Sequence, residues 1–179
     1  HIKLSVLEIS SYDAIKRLND GSIDIVLTPL DIKERFNTME SIDIYPTANI
    51  FCTSLNDPLA QQDSVTFLDI RQRPIAVLNS KLPVDWPLQI RLCTNTSSLI
   101  REAVSKGILC ALLPQDFVRD WDDVAVLPFN PPQNCAVKAV WNKNLPHSSA
   151  LQEFVDFLLE YFAAQGIVLP EEKIEDDEI

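Results

Sequence analysis

TNTSSLIREAVSKGILCALLP, residues 94–114, opens on the polar residues Thr94, Asn95, Thr96 and Ser97 and passes into apolar positions at helical spacing, Leu99, Ile100, Ala103 and Val104. Gly107 stops that pattern, and the apolar run Ile108 to Leu113 closes at Pro114. The order predicts a capped helix, a glycine stop and a buried strand. A helix start with free N–H groups and hydroxyls suits a small anion, above all beside a cleft. The same hydroxyls would serve as caps alone on a helix that merely packs over a sheet.

Working outward, Leu88 to Cys93 alternates as a strand just before this stretch, and Pro74 to Leu78 is another apolar strand. The loop between them, Asn79 to Pro87, carries Pro83 and Pro87, and Phe67 to Gln72 reads as a short helical turn. At the amino end, Ile2 to Glu8 alternates with Ile2, Leu4 and Val6 on one side. Ser10 and Ser11 then start a helix through Ala14, Ile15 and Leu18 that ends at Gly21, and Ile23 to Leu27 is a buried-strand signal. Strand, helix and strand at this spacing make a parallel crossover unit. Leu30 to Asp43 reads as irregular, and Tyr45 to Thr53 as the next strand.

Toward the carboxyl end, Val124 to Leu127 and Ala136 to Trp141 read as separate strands divided by the proline-rich piece Pro128 to Gln133. Ser148 or Ser149 caps a long helix with Leu151, Phe154, Val155, Leu158 and Phe162 on one face. Phe157 and Tyr161 widen that apolar arc, an excess that suits either core or a partner surface, with core the expectation. The alternation of strands and helices predicts an α/β protein with mainly parallel sheets.

A chain of 179 residues, 46% hydrophobic and 23% charged, suffices for one substantial domain or two small lobes. No apolar run is long enough to span a bilayer, and the start HIKLSVLEISS is not a signal peptide. A formal charge of −11 argues against this segment gripping a phosphate backbone by itself. The tail EEKIEDDEI reads as a solvated, frayed end. Cys52, Cys93, Cys110 and Cys135 lack the spacing of a zinc or redox motif and are expected as buried free thiols in a reducing cytosol, with disulfides the alternative that spacing leaves open.

Chemistry is scarce. The histidines are His1, at the end of the chain, and His147 in the loop NLPHSS, neither set beside a nucleophile. Gly21, Gly107 and Gly166 cannot form a phosphate loop, and Asp122 and Asp123 read as part of a surface turn. Catalysis, a metal site and a cofactor are therefore not expected. What remains is binding: hydroxyl-rich helix starts follow strands at Ser10 and Ser11 and again at Thr94 to Ser98. Two such turns favour a cleft between lobes.

The ordered pieces VLEISSYDAIKRLNDGSIDIVLTPL, NDPLA, FLDIRQRPIAVL and SLIREAVSKGILCALLPQDF resemble the effector-binding domain of LysR-type transcriptional regulators, over about Ile2 to Phe162. Asp57 in NDPLA stands where the family usually has histidine, and Leu109 where it often has a second glycine. The family's helix-turn-helix, linker helix, and first strand and helix of this domain have no counterpart before His1.

The resemblance implies a two-lobed type 2 periplasmic-binding-protein-like fold whose lobes are joined by two crossover strands. Residues 1–54 and 134–170 would form one lobe, 55–133 the other and 171–179 an acidic tail, with crossings near Thr53 and Asn134. It also implies a small-molecule effector between the lobes, an anion suiting the donors, held by Ser10, Ser11, Asn79, Ser80, Thr94, Asn95, Thr96 and Ser97 without a lysine. Effector binding would alter lobe closure, and with it the geometry of a dimer or tetramer. DNA would be met only through the absent amino-terminal domain, in the cytoplasm and away from membranes. A secreted solute-binding protein of the same fold is the alternative.

Overall fold

The computed structural model describes residues 3–9, 11–29, 37–78, 87–146 and 148–167. Residues 79–86, which include Asn79 and Ser80, residue Ser10 and the acidic tail lie outside the described residues. Among the described residues six strands form one sheet: β1 (Val26–Thr28), β2 (Met39–Ser54), β3 (Pro74–Leu78), β4 (Gln89–Thr94), β5 (Cys110–Pro114) and β6 (Val124–Asn142). Four helices pack on it: α1 (Ser11–Asp20), α2 (Phe67–Ile70), α3 (Ser97–Ser105) and α4 (Ser149–Ala164). The strand order is β1-β6-β2-β5-β3-β4.

The α/β class holds, and the sheet is mixed. β3 runs parallel to both β4 and β5, while β2 is antiparallel to β5 and β6, and β1 is antiparallel to β6. One expected strand is not formed. Residues 3–9 make no strand, and Leu4, Val6 and Leu7 are exposed. Alternation alone does not make a strand; it needs a ladder partner and a face to bury, and 3–9 has neither among the described residues. The parallel crossover expected at this end is therefore replaced by an antiparallel β1–β6 pair.

β2 and β6 are longer than expected. Met39 to Asp43, read as irregular, pairs with the end of β6, and the proline-rich piece lies within β6 instead of dividing two strands. The ladder jumps there: Asn49 pairs with Gln133, but the next residue, Ile50, pairs with Pro128. Proline cannot donate to a ladder, so Pro131 and Pro132 are accommodated where β6 leaves β2, and Pro128 stands at the edge of that gap. Phe129 instead bridges to Val65, and Asn130 N–H donates to the Val65 carbonyl at 2.9 Å.

The core divides along these two long strands. At one end Phe51, Ile75, Val77 and Leu112 pack beneath α2, and Ile50, Ala111 and Leu113 pack against Ile100 and Val104 of α3 on the opposite face. At the other end Met39 and Val140 pack against Leu18 of α1, and Ile44 and Ala139 against Val155 of α4. Leu151, Leu158 and Phe162 join α4's buried face as its spacing predicts, but Phe157 and Tyr161 turn outward, 57% and 50% exposed. The sheet under α4 is only three strands wide at this end, so it covers a narrower arc than the helix offers.

The cysteines are free; Cys52 and Cys110 are buried, Cys135 is half-buried and Cys93 is exposed. Cys93 departs from the expected burial because β4 is an edge strand. Among the described residues no helix is long and apolar enough to cross a membrane.

Candidate functional site

The opening stretch folds as its pattern predicts. Leu78 pairs with Thr94 and Val77 with Leu112, so the carboxyl ends of β3, β4 and β5 lie together, and α3 begins there. Gly107, at φ +68°, turns the chain from α3 toward β5. That left-handed backbone is open to glycine at little steric cost.

The hydroxyls at this helix start are not all caps. Thr94 Oγ1 accepts the Thr96 N–H at 3.1 Å and so shapes the turn. Thr96 occupies the N-cap position, yet its side chain makes no capping hydrogen bond. By contrast the Ser148 hydroxyl caps α4 by accepting the Leu151 N–H at 3.2 Å. Thr96 and Asn95 are exposed, and Thr94 and Ser97 are half-buried. A hydroxyl and first-turn N–H groups left outside the helix's own bonding are suited to accept a ligand anion.

The second polar start, at Ser11, belongs to α1. Near the other end of that helix, the Leu18 carbonyl accepts from Asn142 Nδ2 at 3.3 Å, and Asn142 pairs with Met39 at the outer end of the long strands. Asn19 likewise meets Thr38 there, at 3.4 Å. α1 therefore runs with its carboxyl end outward and its amino end toward the middle of β2 and β6. At that inner end β1 finishes at Thr28, which is 6% exposed. Thr28 pairs with Lys138, and Lys138 with Asp43. The Lys138 ammonium lies 3.2 Å from the Asp43 carboxylate.

The two helix starts thus lie on opposite sides of the middle of the long strands. Pro114, at the carboxyl end of β5, pairs with Asn49. Asp43 marks the other side, six residues away along β2, which at strand rise is roughly 20 Å. Between them lie Tyr45 and Thr47, and Asn49 is itself a buried amide at 8% exposure. Of the residues expected to hold a ligand, Ser11 and Thr94 to Ser97 fall on these two sides, whereas Ser10, Asn79 and Ser80 lie outside the described residues.

Thr28, Lys138 and Asp43 were not among the sequence candidates, and the lysine alters the expected lysine-free character of this region. Their adjacency arises from pairing across β1, β6 and β2, which no local spacing records. Among the described residues no group of histidine, cysteine or acidic side chains is arranged to hold a metal ion.

A family profile described as the LysR substrate binding domain matches residues 1–163. Among solved structures, the effector-binding domain of QuiR in complex with shikimate superposes with a TM-score of 0.73 at 19% identity, covering 89% of this chain and 80% of that one. The oxidised form of OxyR gives a TM-score of 0.71 at 14% identity, covering 88% and 80%. The C-terminal domain of a probable LysR family transcriptional regulator from Rhodococcus sp. RHA1 gives 0.66 at 17% identity, covering 84% and 80%. At these identities the likeness is one of fold, the type 2 periplasmic-binding-protein-like fold. No individually curated protein matches the chain.

Proposed function

The chain belongs to the LysR substrate binding domain family and is a ligand-sensing regulatory domain; on that premise we propose that it binds a small carboxylate between two lobes and reports occupancy to a DNA-binding segment of the regulator. A secreted solute-binding protein is not favoured by the family match. Domains of this family generally bind rather than catalyse. Assembly as a dimer or tetramer, DNA contact through a helix-turn-helix segment and residence in the cytoplasm belong to the same reading.

The lobes are residues 1–54 with 134–170, and 55–133, with 171–179 as a tail. The ladder jump after Asn49 and the core on either side of it support this division. They favour moving 50–54 into the second lobe, because Ile50, Phe51 and Cys52 pack with its strands.

The observation that carries the ligand class is the Thr96 hydroxyl, which the helix it precedes does not use as a cap. In this reading Thr94, Asn95, Thr96 and Ser97 form one wall and the start of α1 with Thr28 the other, with Lys138 between; Ser10, Ser11, Asn79 and Ser80 are the further contacts that the family resemblance implies. Hydroxyls, helix N–H groups and one ammonium complement a carboxylate bearing hydroxyl groups. Shikimate, the ligand in the QuiR structure, is the first compound to test.

Calorimetric titration with shikimate and a panel of other small carboxylates should give saturable binding by at least one. Thr96→Val removes a hydrogen bond to a charged ligand and should weaken that binding about tenfold. Absence of heat with every compound, together with full regulation by a regulator carrying alanine at Asn79, Thr94 and Thr96, would overturn the reading.

A further inference from the structure

The short 3-10 turn Gln115–Phe117 follows β5 and is held to the second lobe by Val118, which is buried beside Ile100, Val104 and Leu113. From this turn Asp116 reaches back to the long strands. Its Oδ2 accepts the Thr47 hydroxyl at 2.7 Å, and its Oδ1 accepts Arg119 Nη2 at 2.9 Å. Thr47 is 3% exposed, so its hydroxyl is held at a buried position, while Asp116 is partly exposed. Two residues before Thr47, on the same face of β2, Tyr45 lies against Phe162 of α4 with ring centroids 4.4 Å apart. Phe162 belongs to the core beneath α4 in the first lobe.

Asp116 therefore links two bodies. One side of its contacts is fixed through Val118 to the α3 core, and the other through β2 and Tyr45 to the α4 core. Thr47 sits in the stretch of β2 bounded by the two irregularities of its ladder, at Asp43/Tyr45 and at Asn49/Ile50. Bulges and ladder jumps are where a strand pair bends most easily. The bond from Thr47 to Asp116 spans that bend.

We propose that the Asp116–Thr47 hydrogen bond, with Tyr45 packed on Phe162, is a latch that sets the angle between the two lobes. It rests on the two-lobed reading above but not on the identity of any ligand. The latch holds through the charge-assisted bond from Thr47 to Asp116, beside the Asp116 contact with the Tyr45 hydroxyl, and a change of lobe angle must alter that geometry. Asp116 and Thr47 are positioning residues here, and the ligand need not touch them. Burial pushes the Tyr45 hydroxyl's pKa up, and the neighbouring Asp116 charge pushes it further, which agrees with a carboxylate held against this face.

The test reads the lobe angle without ligand. Spin labels are attached at Glu160→Cys on α4 and Ser98→Cys on α3, in a chain with serine in place of Cys93 and Cys135, and the distance distribution between them is measured by double electron–electron resonance. The otherwise unaltered chain should give one narrow distribution. Asp116→Ala and Thr47→Val should widen it and move its centre, whereas Asp116→Asn keeps an acceptor for Thr47 and should leave it near the original.

Should Asp116→Ala fail to fold, Thr47→Val, which preserves shape and deletes only the hydroxyl, decides. An unchanged distribution in Thr47→Val overturns the latch, as does an equal change in Asp116→Asn and Asp116→Ala. Failure of every carboxylate to bind would remove the proposed ligand class and leave this measurement as informative as before.

Discussion

At the scale of single residues, Asp57 exchanges one role for another. In NDPLA it replaces the family's usual histidine, and here its Oδ1 accepts the Leu59 N–H at 2.9 Å while its other oxygen pairs with Arg73. The same guanidinium lies 3.8 Å from Cys110 Sγ, so the pair ties the turn after β2 to β3 and β5. Burial raises the Asp57 carboxyl's pKa, but the bonds from Arg73 and Leu59 outweigh it and hold the carboxyl below the usual range. A lowered folded-state pKa contributes stability that is present above the unfolded value and lost as pH falls through the folded one. Asp57→Asn should therefore cost about 1–2 kcal/mol in urea denaturation at neutral pH, and that cost should shrink toward acid pH. A difference that stays constant down through the carboxylate range would assign the loss to packing. Gly107 poses a different case, since an added Cβ meets Ser54 Cβ at 3.7 Å, an ordinary contact. Gly107→Ala should still lose about 1 kcal/mol by the same assay, because the left-handed backbone and not crowding opposes it. The aspartate was visible in the sequence as a departure from pattern. Its partner was not, because Arg73 is brought to it only by folding.

At the scale of elements, legibility followed locality. α3, Gly107 and β5 were readable because a helix start, a stop and an apolar run are each written in neighbouring residues. β2 and β6 were read too short because Ser41, Asp43 and the prolines of 128–132 look like loop, and only their pairing with each other carries them through. Residues 3–9 fail in the opposite sense, with a strand's alternation and no ladder. α4 lies between these cases: its register was readable, but the width of its buried face depends on how much sheet lies beneath. Val155 is 4% exposed and packs with Ile44 and Ala139, so Val155→Ala should cost about 2 kcal/mol. Phe157→Ser, on the outward side, should change stability by no more than about 0.5 kcal/mol. Chemical denaturation of the two variants side by side checks both values. A large loss from Phe157→Ser would mean that its ring is covered in solution, and sedimentation at several concentrations would then reveal association.

For the whole molecule, half of the candidate site was legible. The hydroxyl-rich starts at Ser11 and Thr94 to Ser97 are local features, and the fold sets them on either side of the long strands. Thr28, Lys138 and Asp43 were invisible because three strands from distant parts of the chain bring them together. That combination makes a prediction about the molecule as a unit. A ligand that bridges the two walls binds the folded chain and not the unfolded one, so stability must rise with its concentration as RT ln(1 + [L]/Kd). At a hundredfold excess over Kd the gain is about 2.7 kcal/mol, read as a rightward shift of the urea midpoint with an unchanged slope. Lys138→Met should reduce the gain at the same ligand concentration, because it removes the ammonium while preserving much of the stem's packing. It also leaves Asp43 without its 3.2 Å partner, so the ligand-free variant must serve as its own reference. If the ligand-induced shift is the same in Lys138→Met as in the unaltered chain, the ammonium does not face the ligand. The anion would then be held by the helix starts alone, as the sequence pattern predicts.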